Sequence, residues 1–170
     1  MTEILTERLR VVALSLEQLK LRLNTPRQLE NELGLTLAQR VLTKPERKAI
    51  GIKIRKMERR ADIYHPWYTF WLISIKNNHY VVGMVGFKGD PNARGLVEIG
   101  YGINSSHQNR GFATEAVRSM INWAFQHPTC KAVIAETELS NFASQRVLVK
   151  AGMDIFTETD HTFLWRIDRQ

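Results

Sequence analysis

Residues 98–116, EIGYGINSSHQNRGFATEA, give the strongest indication of the fold. Leu96–Ile103 alternates along its length as a β-strand does. A polar loop follows, and the residues from about Gly111 to Phe125 have the spacing of an amphipathic helix. The first amides of a helix have no partner within the helix and lie at the positive end of its dipole. A phosphate bound there would receive several N–H bonds, and Gly111 would let it approach the backbone closely.

Other site patterns are missing from the sequence. Neither G-x-x-x-x-G-K-[ST] nor G-x-G-x-x-G occurs, which argues against P-loop and dinucleotide-binding folds. No G-x-S-x-G motif is present for a serine hydrolase. The five histidines form neither H-x-H nor H-x-x-x-H, and the single cysteine, Cys130, cannot form an internal disulfide. We therefore expect no metal site.

The rest of the chain predicts helices first and strands later. Capping-box patterns at Ser15, Thr25 and Thr43 predict short helices within residues 15–60, and Gly34 is expected to end the second of them. A later helix, capped by Ser140 or Asn141, should reach Lys150. Strands are predicted over residues 5–13, Tyr68–Ile75, Tyr80–Phe87, Leu96–Ile103, Ala132–Glu136, Met153–Glu158 and Thr162–Ile167. This order predicts one mixed α/β domain over residues 1–170 with a central sheet.

Length and composition are those of a globular domain. The chain has 170 residues, of which 44% are hydrophobic and 24% charged, which argues against disordered, collagen-like and coiled-coil classes. No apolar run is long enough to cross a membrane, and the start, MTEILTERLR, is charged where a signal peptide is apolar. With one cysteine, we expect a cytoplasmic protein without a membrane partner.

The positive charge is concentrated in the first part of the chain. The net charge is +7, and residues 1–66 hold 14 basic and 8 acidic residues, a net of +6. Most of this excess lies in Lys44–Arg60. Such a helix either presents a solvated face or attracts a phosphate-bearing ligand, an acidic substrate or RNA. Charge alone does not separate these interpretations.

Three sequence motifs resemble one family. Gln108-x-x-Gly111-x-Ala113 is similar to the (Gln/Arg)-x-x-Gly-x-(Gly/Ala) acyl-CoA loop of the GCN5-related N-acetyltransferases. Residues 141–153, NFASQRVLVKAGM, resemble the N-x-x-S-x-x-x-L-x-K-x-G-F motif of the subgroup that includes the ribosomal-protein N-terminal acetyltransferases, with Met153 in the place of Phe. Thr6–Leu9 resembles the usual start of that subgroup. The resemblance implies the acyl-CoA N-acyltransferase fold, a single mixed and mostly antiparallel sheet flanked by helices.

The resemblance also implies a cosubstrate and the residues that hold it. Residues 67–167 would form an acetyl-CoA-binding core, and residues 15–66 a helical acceptor side. The pyrophosphate would lie on the loop amides, the pantetheine arm would pair with the end of the preceding strand, and no metal would take part. The cofactor-binding residues implied are Tyr101, Gly102, Ile103, Gln108, Asn109, Arg110, Gly111, Phe112, Ala113, Thr114 and Asn141. Ser105 stands where related loops often have proline.

Two residues match catalytic positions of the family. Glu98 matches the carboxylate that acts as base, directly or through water, and shares a strand face with Gly100 and Gly102. Its alternative role is a salt-bridged strand glutamate. Ser144 matches a serine near the CoA sulfur, although a hydroxyl at a helix start can equally bond to backbone. The tyrosine acid of many relatives is absent, because Leu148 occupies its position.

Two functions follow from these patterns. The first is acetyl-CoA-dependent N-acetyltransfer, directly to a primary amine of a protein N-terminus or a small molecule. The alternative is a non-catalytic CoA-binding or RNA- or ribosome-associated module that uses the basic helix of residues 44–60. As an enzyme, the protein would need no nucleic acid partner. The resemblance is also compatible with a homodimer, because dimers are common in the subgroup. The aromatic run Trp67, Tyr68, Phe70 and Trp71 belongs either to the core or to the lining of the acceptor pocket.

Overall fold

The computed structural model describes residues 2–170. Its elements, in chain order, are β1 (Glu3–Leu5), β2 (Leu9–Ala13), α1 (Leu16–Asn24), α2 (Pro26–Leu33), β3 (Thr36–Leu37), α3 (Lys44–Met57), α4 (His65–Tyr68), β4 (Trp71–Ile75), β5 (Tyr80–Phe87), β6 (Leu96–Ile103), α5 (Phe112–Phe125), β7 (Ala132–Glu138), α6 (Phe142–Ala151), β8 (Asp154–Glu158) and β9 (Thr162–Asp168).

The strands form one mixed sheet in the order β1-β2-β4-β5-β6-β7-β9-β8, and the short β3 pairs with β5. Strands β6 and β7 are parallel, as are β3 and β5, whereas the remaining pairs are antiparallel. The predicted fold class, a mostly antiparallel sheet flanked by helices, is therefore confirmed. Because β6 and β7 are parallel, a crossover must connect them, and α5 forms this crossover.

Strands β6 and β7 separate halfway along β6. Their ladder joins Leu96–Glu98 to Ala132–Ile134, whereas β6 continues to Ile103. On its other edge β6 stays paired with β5 over Ile99–Ile103. The two halves of the sheet therefore splay apart beyond Glu98, on the side where the loop leads into α5.

The core lies between the sheet and its helices. Trp71, Phe87, Ile50 and Met120 are among the fully buried side chains. The ring of Trp123, on α5, packs 4.5 Å from that of Trp67 and 5.1 Å from that of Trp71, measured between ring centroids. The aromatic run is therefore divided, because Trp67 and Trp71 belong to this core while Phe70 lines a cavity described below.

Most of the predicted local signals are observed. Capping boxes form at Ser15 and Thr43, and Gly34 ends α2 with a φ of 63°. Asn141, rather than Ser140, caps α6 by accepting a hydrogen bond from the amide of Ser144. The capping box expected at Thr25 is wrong, because this residue also ends α1, and its side chain makes no capping bond.

Several predicted element boundaries differ from the structure. The single strand expected over residues 5–13 is two strands, β1 and β2. They are separated by a turn in which the amide of Leu9 donates to Thr6 Oγ1. Strand β4 begins at Trp71 rather than Tyr68, since Pro66 lies in the first turn of α4, which ends at Tyr68. The basic helix ends at Met57, short of Arg60. Strand β3 was not predicted, because two residues carry no periodic signal.

Candidate active site

The loop between β6 and α5 leaves helix amides available for a ligand. Asn109 and Gly111 have φ values of 62° and 80°, which turn the chain sharply before the first residue of α5, Phe112. Gly111 has no side chain with which to cap the helix. The first amides of α5 are therefore free to bind a negatively charged group, as the sequence predicts.

A cleft of about 360 Å³ runs from this loop to helix α6. All of the predicted cofactor residues line it except Arg110, and the predicted catalytic Ser144 lines it too. Five further residues complete the lining, namely His107, Ala143, Arg146, Val147 and Lys150. Arg146 and Lys150 lie one helical turn apart, so this face of α6 adds two positive charges that suit a polyphosphate.

The N-terminal segment fixes the loop from behind. The carboxylate of Glu115, in the first turn of α5, accepts hydrogen bonds from Thr6 Oγ1 at 2.6 Å, Arg8 N at 2.8 Å and Arg8 Nε at 2.7 Å. Arg8 Nη1 donates to the carbonyl oxygen of Arg110 at 2.9 Å. The guanidinium also lies 4.9 Å from the ring centroid of Phe112. Burial alone would raise the pKa of Glu115, but these hydrogen bonds lower it, so the carboxylate stays charged and paired.

This arrangement gives the Thr6–Leu9 motif a structural role. Two of its four residues hold the start of α5 and the loop carbonyl of Arg110 in place. The partners are separated by more than 100 residues in sequence. No local pattern could therefore have predicted their contact.

A second cavity, of about 560 Å³, lies on the other side of β6. Helices α1 and α3, the segment after α2 and strands β4 and β5 contribute to its walls. Tyr101, Gly102 and Ile103 line both cavities, so the end of β6 separates them. A Cβ atom added to Gly83 would lie 2.2 Å from the carbonyl oxygen of Gly102, and therefore only glycine allows this approach of β5 to β6.

Glu98 lies beside the two cavities rather than in their walls. Its carboxylate forms an ion pair with the ammonium of Lys88, and its side chain is 27% exposed. Gly100 and Gly102, on the same strand face, do line the second cavity. The ion pair favours the structural role of a salt-bridged strand residue, whereas the partial burial of the carboxylate favours the role of a base. The catalytic role of Glu98 therefore stays a prediction.

Ser144 and Tyr101 meet at the junction of β6 and α6. Tyr101 Oη donates to the backbone oxygen of Ser144 at 3.2 Å. Burial raises the pKa of Tyr101, so the phenol stays protonated near neutral pH. The amide of Ser144 donates to Asn141 Oδ1 at 3.1 Å, which confirms the N-cap role of Asn141. The side chain of Leu148 is fully buried.

The described residues, 2–170, also bear on metal binding, on membrane-spanning helices and on Cys130. Within this range no group of three or more His, Cys, Asp or Glu side chains could hold a metal ion. Nor does this part of the chain contain a helix with the length and apolar character needed to cross a bilayer. Cys130 is buried, and burial raises the pKa of its thiol. It therefore has the properties of a packing residue rather than a nucleophile.

Comparison with known proteins agrees with this geometry. Residues 21–154 match the model of the acetyltransferase (GNAT) domain. The chain is 42% identical over 85 residues to the uncharacterized N-acetyltransferase YjdG of Bacillus subtilis strain 168, which is 50% of this chain and 51% of that protein. The chain thus spans about half the length of the curated relatives it matches.

Solved structures share the fold over nearly the whole chain. One is a ribosomal-protein-S5-alanine acetyltransferase from Vibrio fischeri, with a TM-score of 0.70 and 17% identity over 100% of this chain and 98% of that one. Another is a ribosomal L7/L12 alpha-N-protein acetyltransferase in complex with coenzyme A, with a TM-score of 0.67 and 14% identity over 98% of both chains. With the domain match covering residues 21–154, the chain belongs to the GNAT family of acetyltransferases.

Proposed function

We propose that this protein is an acetyl-CoA-dependent N-acetyltransferase that transfers acetyl directly to a primary amine. The observation that carries the proposal is the shared wall of the two cavities at Tyr101–Ile103. A thioester bound along the first cavity would present its acetyl group at this wall, and an amine held in the second could attack it there. No covalent enzyme intermediate is needed in such a direct transfer.

The site residues supply binding and proton transfer. The free amides at the start of α5 and the charges of Arg146 and Lys150 would hold the phosphates, and Asn141 and Tyr101–Ile103, which line the same cleft, would contact the pantetheine arm. In the reaction, the nitrogen bonds to the acetyl carbon and the C–S bond breaks. An ammonium acceptor first gives one proton to a base, the nitrogen loses a second as the amide forms, and the leaving thiolate takes up one proton. Because an alkyl ammonium has a pKa near ~10, a base is needed at neutral pH.

Glu98 is our candidate base, acting through water, because it shares its strand face with Gly100 and Gly102 but does not line the second cavity. Ser144 is our candidate donor near the sulfur, since it lines the cofactor cleft and the usual tyrosine is replaced by Leu148. The division of the chain into an acceptor side, residues 15–66, and a cofactor core, residues 67–167, is part of the same proposal.

Several basic side chains of the 44–60 segment are used inside the fold, which supports the enzyme over a nucleic-acid-binding module. Lys53, Lys56 and Arg47 each donate to a backbone carbonyl of another element or loop. A buried Cys130 suits a reducing compartment, which supports a cytoplasmic location. The family resemblance allows a homodimer, which sedimentation would test.

The test is thiol release from acetyl-CoA with a panel of N-terminal peptides, polyamines, aminoglycosides and amino acids. Glu98→Gln should lower turnover by roughly 100-fold or more, as expected for loss of a general base, while CoA affinity stays unchanged. Ser144→Ala should lower turnover at unchanged CoA affinity, and Glu136→Gln and Ser140→Ala, at exposed positions, should resemble the wild type.

Lys88→Gln separates the two roles of Glu98. If the carboxylate acts only through its ion pair, Lys88→Gln and Glu98→Gln will have the same effect. If Glu98 is the base, only its own variant loses turnover on this scale. Tight CoA binding without thiol release in the presence of any amine would instead indicate the non-catalytic CoA-binding module.

A further inference from the structure

The second cavity holds one buried charge without an ion-pair partner. Most of its lining is apolar, including Leu37, Phe70, Leu72 and Met84. Arg22, in the last turn of α1, also lines it and is only 4% exposed. Among the described residues, no carboxylate lies within 4.0 Å of its guanidinium. A buried charge of this kind costs stability unless something else compensates it.

The protein uses only part of the hydrogen-bonding capacity of Arg22. Its Nη1 donates to the carbonyl oxygen of Arg40 at 3.1 Å, and its Nη2 donates to that of Gln39 at 2.9 Å. Its Nε is buried and has no hydrogen-bond partner. These two bonds fix the guanidinium in one orientation, and donors are left over on a group that stays protonated.

The two acidic side chains that act on Arg22 are already bonded to other groups, although one of them, Glu46, lines the same cavity. Glu30 forms an ion pair with Arg40 at 2.8 Å and accepts the amide of Leu37 at 2.8 Å. Glu46 accepts the amide of Thr43 at 2.7 Å as part of the capping box of α3. Both carboxylates act on Arg22 only at longer range. Glu46 is only partly buried and its carboxylate is held by the cap, whereas the guanidinium is buried and has no carboxylate within ion-pair distance.

We propose that Arg22 binds a carboxylate of the acceptor, so that the substrates are primary amines that also carry a carboxylate. This inference rests on the proposed acetyltransfer. The amine would lie at the β6 wall, where the two cavities meet, and the carboxylate would lie against α1. A guanidinium suits a carboxylate because its parallel N–H groups can bind both oxygens. Polyamines and aminoglycosides, which carry only positive charge, would meet Arg22 as a like charge.

Two kinds of acceptor carry both a primary amine and a carboxylate, and the assay compares them. One is a free amino acid, with its α-carboxylate, and the other is a peptide with an acidic side chain near its N-terminus. Each acceptor is paired with its neutral form, namely the amino acid with its amide and an acidic peptide with the corresponding Asn or Gln peptide. We expect kcat/KM to favour the carboxylate form by roughly 10- to 100-fold, the range for a hydrogen-bonded charge pair.

Variants at position 22 test whether this arginine is responsible. Arg22→Met should remove the preference for the carboxylate form, while affinity for acetyl-CoA stays unchanged. Arg22→Lys keeps the charge and should retain part of the preference, which a merely structural role would not give. Arg59→Met, at an exposed position, should resemble the wild type. A preference that persists in Arg22→Met, or a wild-type protein that treats both forms alike, would overturn the inference.

Binding without catalysis separates this inference from the proposed function. N-acetylated amino acids and their amides carry the same recognition groups and need no turnover. In the presence of CoA, calorimetry should show the acid binding at least roughly 10-fold more tightly than the amide in the wild type, and equally in Arg22→Met. Absence of turnover together with this binding difference would refute the acetyltransfer and retain the carboxylate site. Turnover without this binding difference would support the acetyltransfer and refute the carboxylate site.

Discussion

Lys53 joins helix α3 to the central sheet, and its charge predicts how the stability of the fold depends on pH. Its Nζ donates to the carbonyl oxygen of Phe87 at 2.6 Å and to that of Tyr68 at 3.2 Å. The ammonium also lies 4.6 Å from the ring centroid of Phe70, a residue that lines the second cavity. Burial, with a smaller contribution from the charge of Lys56, lowers the pKa of Lys53 from 10.5 to about 7.

The direction of the effect follows from this difference in pKa. Between pH 7 and pH 10.5 the unfolded chain keeps the proton on Lys53, whereas the folded chain loses it. Because the unfolded state then binds more protons, the free energy of unfolding increases with pH across this window. At about 1.4 kcal/mol per pKa unit, the Lys53 contribution amounts to about 2 kcal/mol between pH 7 and pH 9.

The assay is urea unfolding of the wild type and of Lys53→Met at pH 7, 8 and 9. The substitution also leaves two carbonyl groups without their donor, so the absolute stabilities of the two proteins differ for a second reason. Only the change of that difference with pH tests the prediction. Other titrating groups are common to both proteins and cancel. Lys48→Met, at an exposed position on the same helix, is the matched control and should keep a constant difference.

We expect the stability of the wild type, relative to Lys53→Met, to increase by about 2 kcal/mol from pH 7 to pH 9. A difference that stays constant would refute the reasoning. It would mean that the two carbonyl groups and the Phe70 ring solvate the ammonium well enough to keep it charged.

Two further predictions concern contacts that only the fold creates. Arg8→Ala should weaken acetyl-CoA binding by about 10-fold, since it removes two charge-assisted hydrogen bonds, each of about 1.5–3 kcal/mol, that hold the carboxylate of Glu115 and the carbonyl of Arg110 in the loop before α5. Calorimetry measures this, and unchanged affinity would contradict it. Thr137→Val should lower the free energy of unfolding by about 1–3 kcal/mol, because the buried indole N–H of Trp165 donates to Thr137 Oγ1 at 2.9 Å. Urea unfolding should show this loss, whereas Thr137→Ser should restore most of it.

Short-range signals predicted most of the secondary structure. The capping bonds at Ser15 and Thr43 join residues only three apart, so the sequence is enough to show them. The same pattern fails at Thr25, because the preceding helix sets its backbone to a φ of −137° and a ψ of 67°. Strand β3 was missed because two residues form a strand only by pairing with the distant β5, whereas the turn at Thr6 is local and its bond to Leu9 interrupts an otherwise strand-like pattern.

The family, the α/β class and most residues that line the cleft between the α5 loop and α6 could be predicted from the sequence, because the loop and the α6 motif are each continuous in the chain. How those residues are supported, and what lies opposite them, is visible only in the folded chain. The Arg8–Glu115 ion pair joins residues 107 apart, and Arg22 reaches the second cavity from α1, a helix outside the family motifs. Charge pairing and burial depend on which segments the sheet brings together, and no local pattern encodes that.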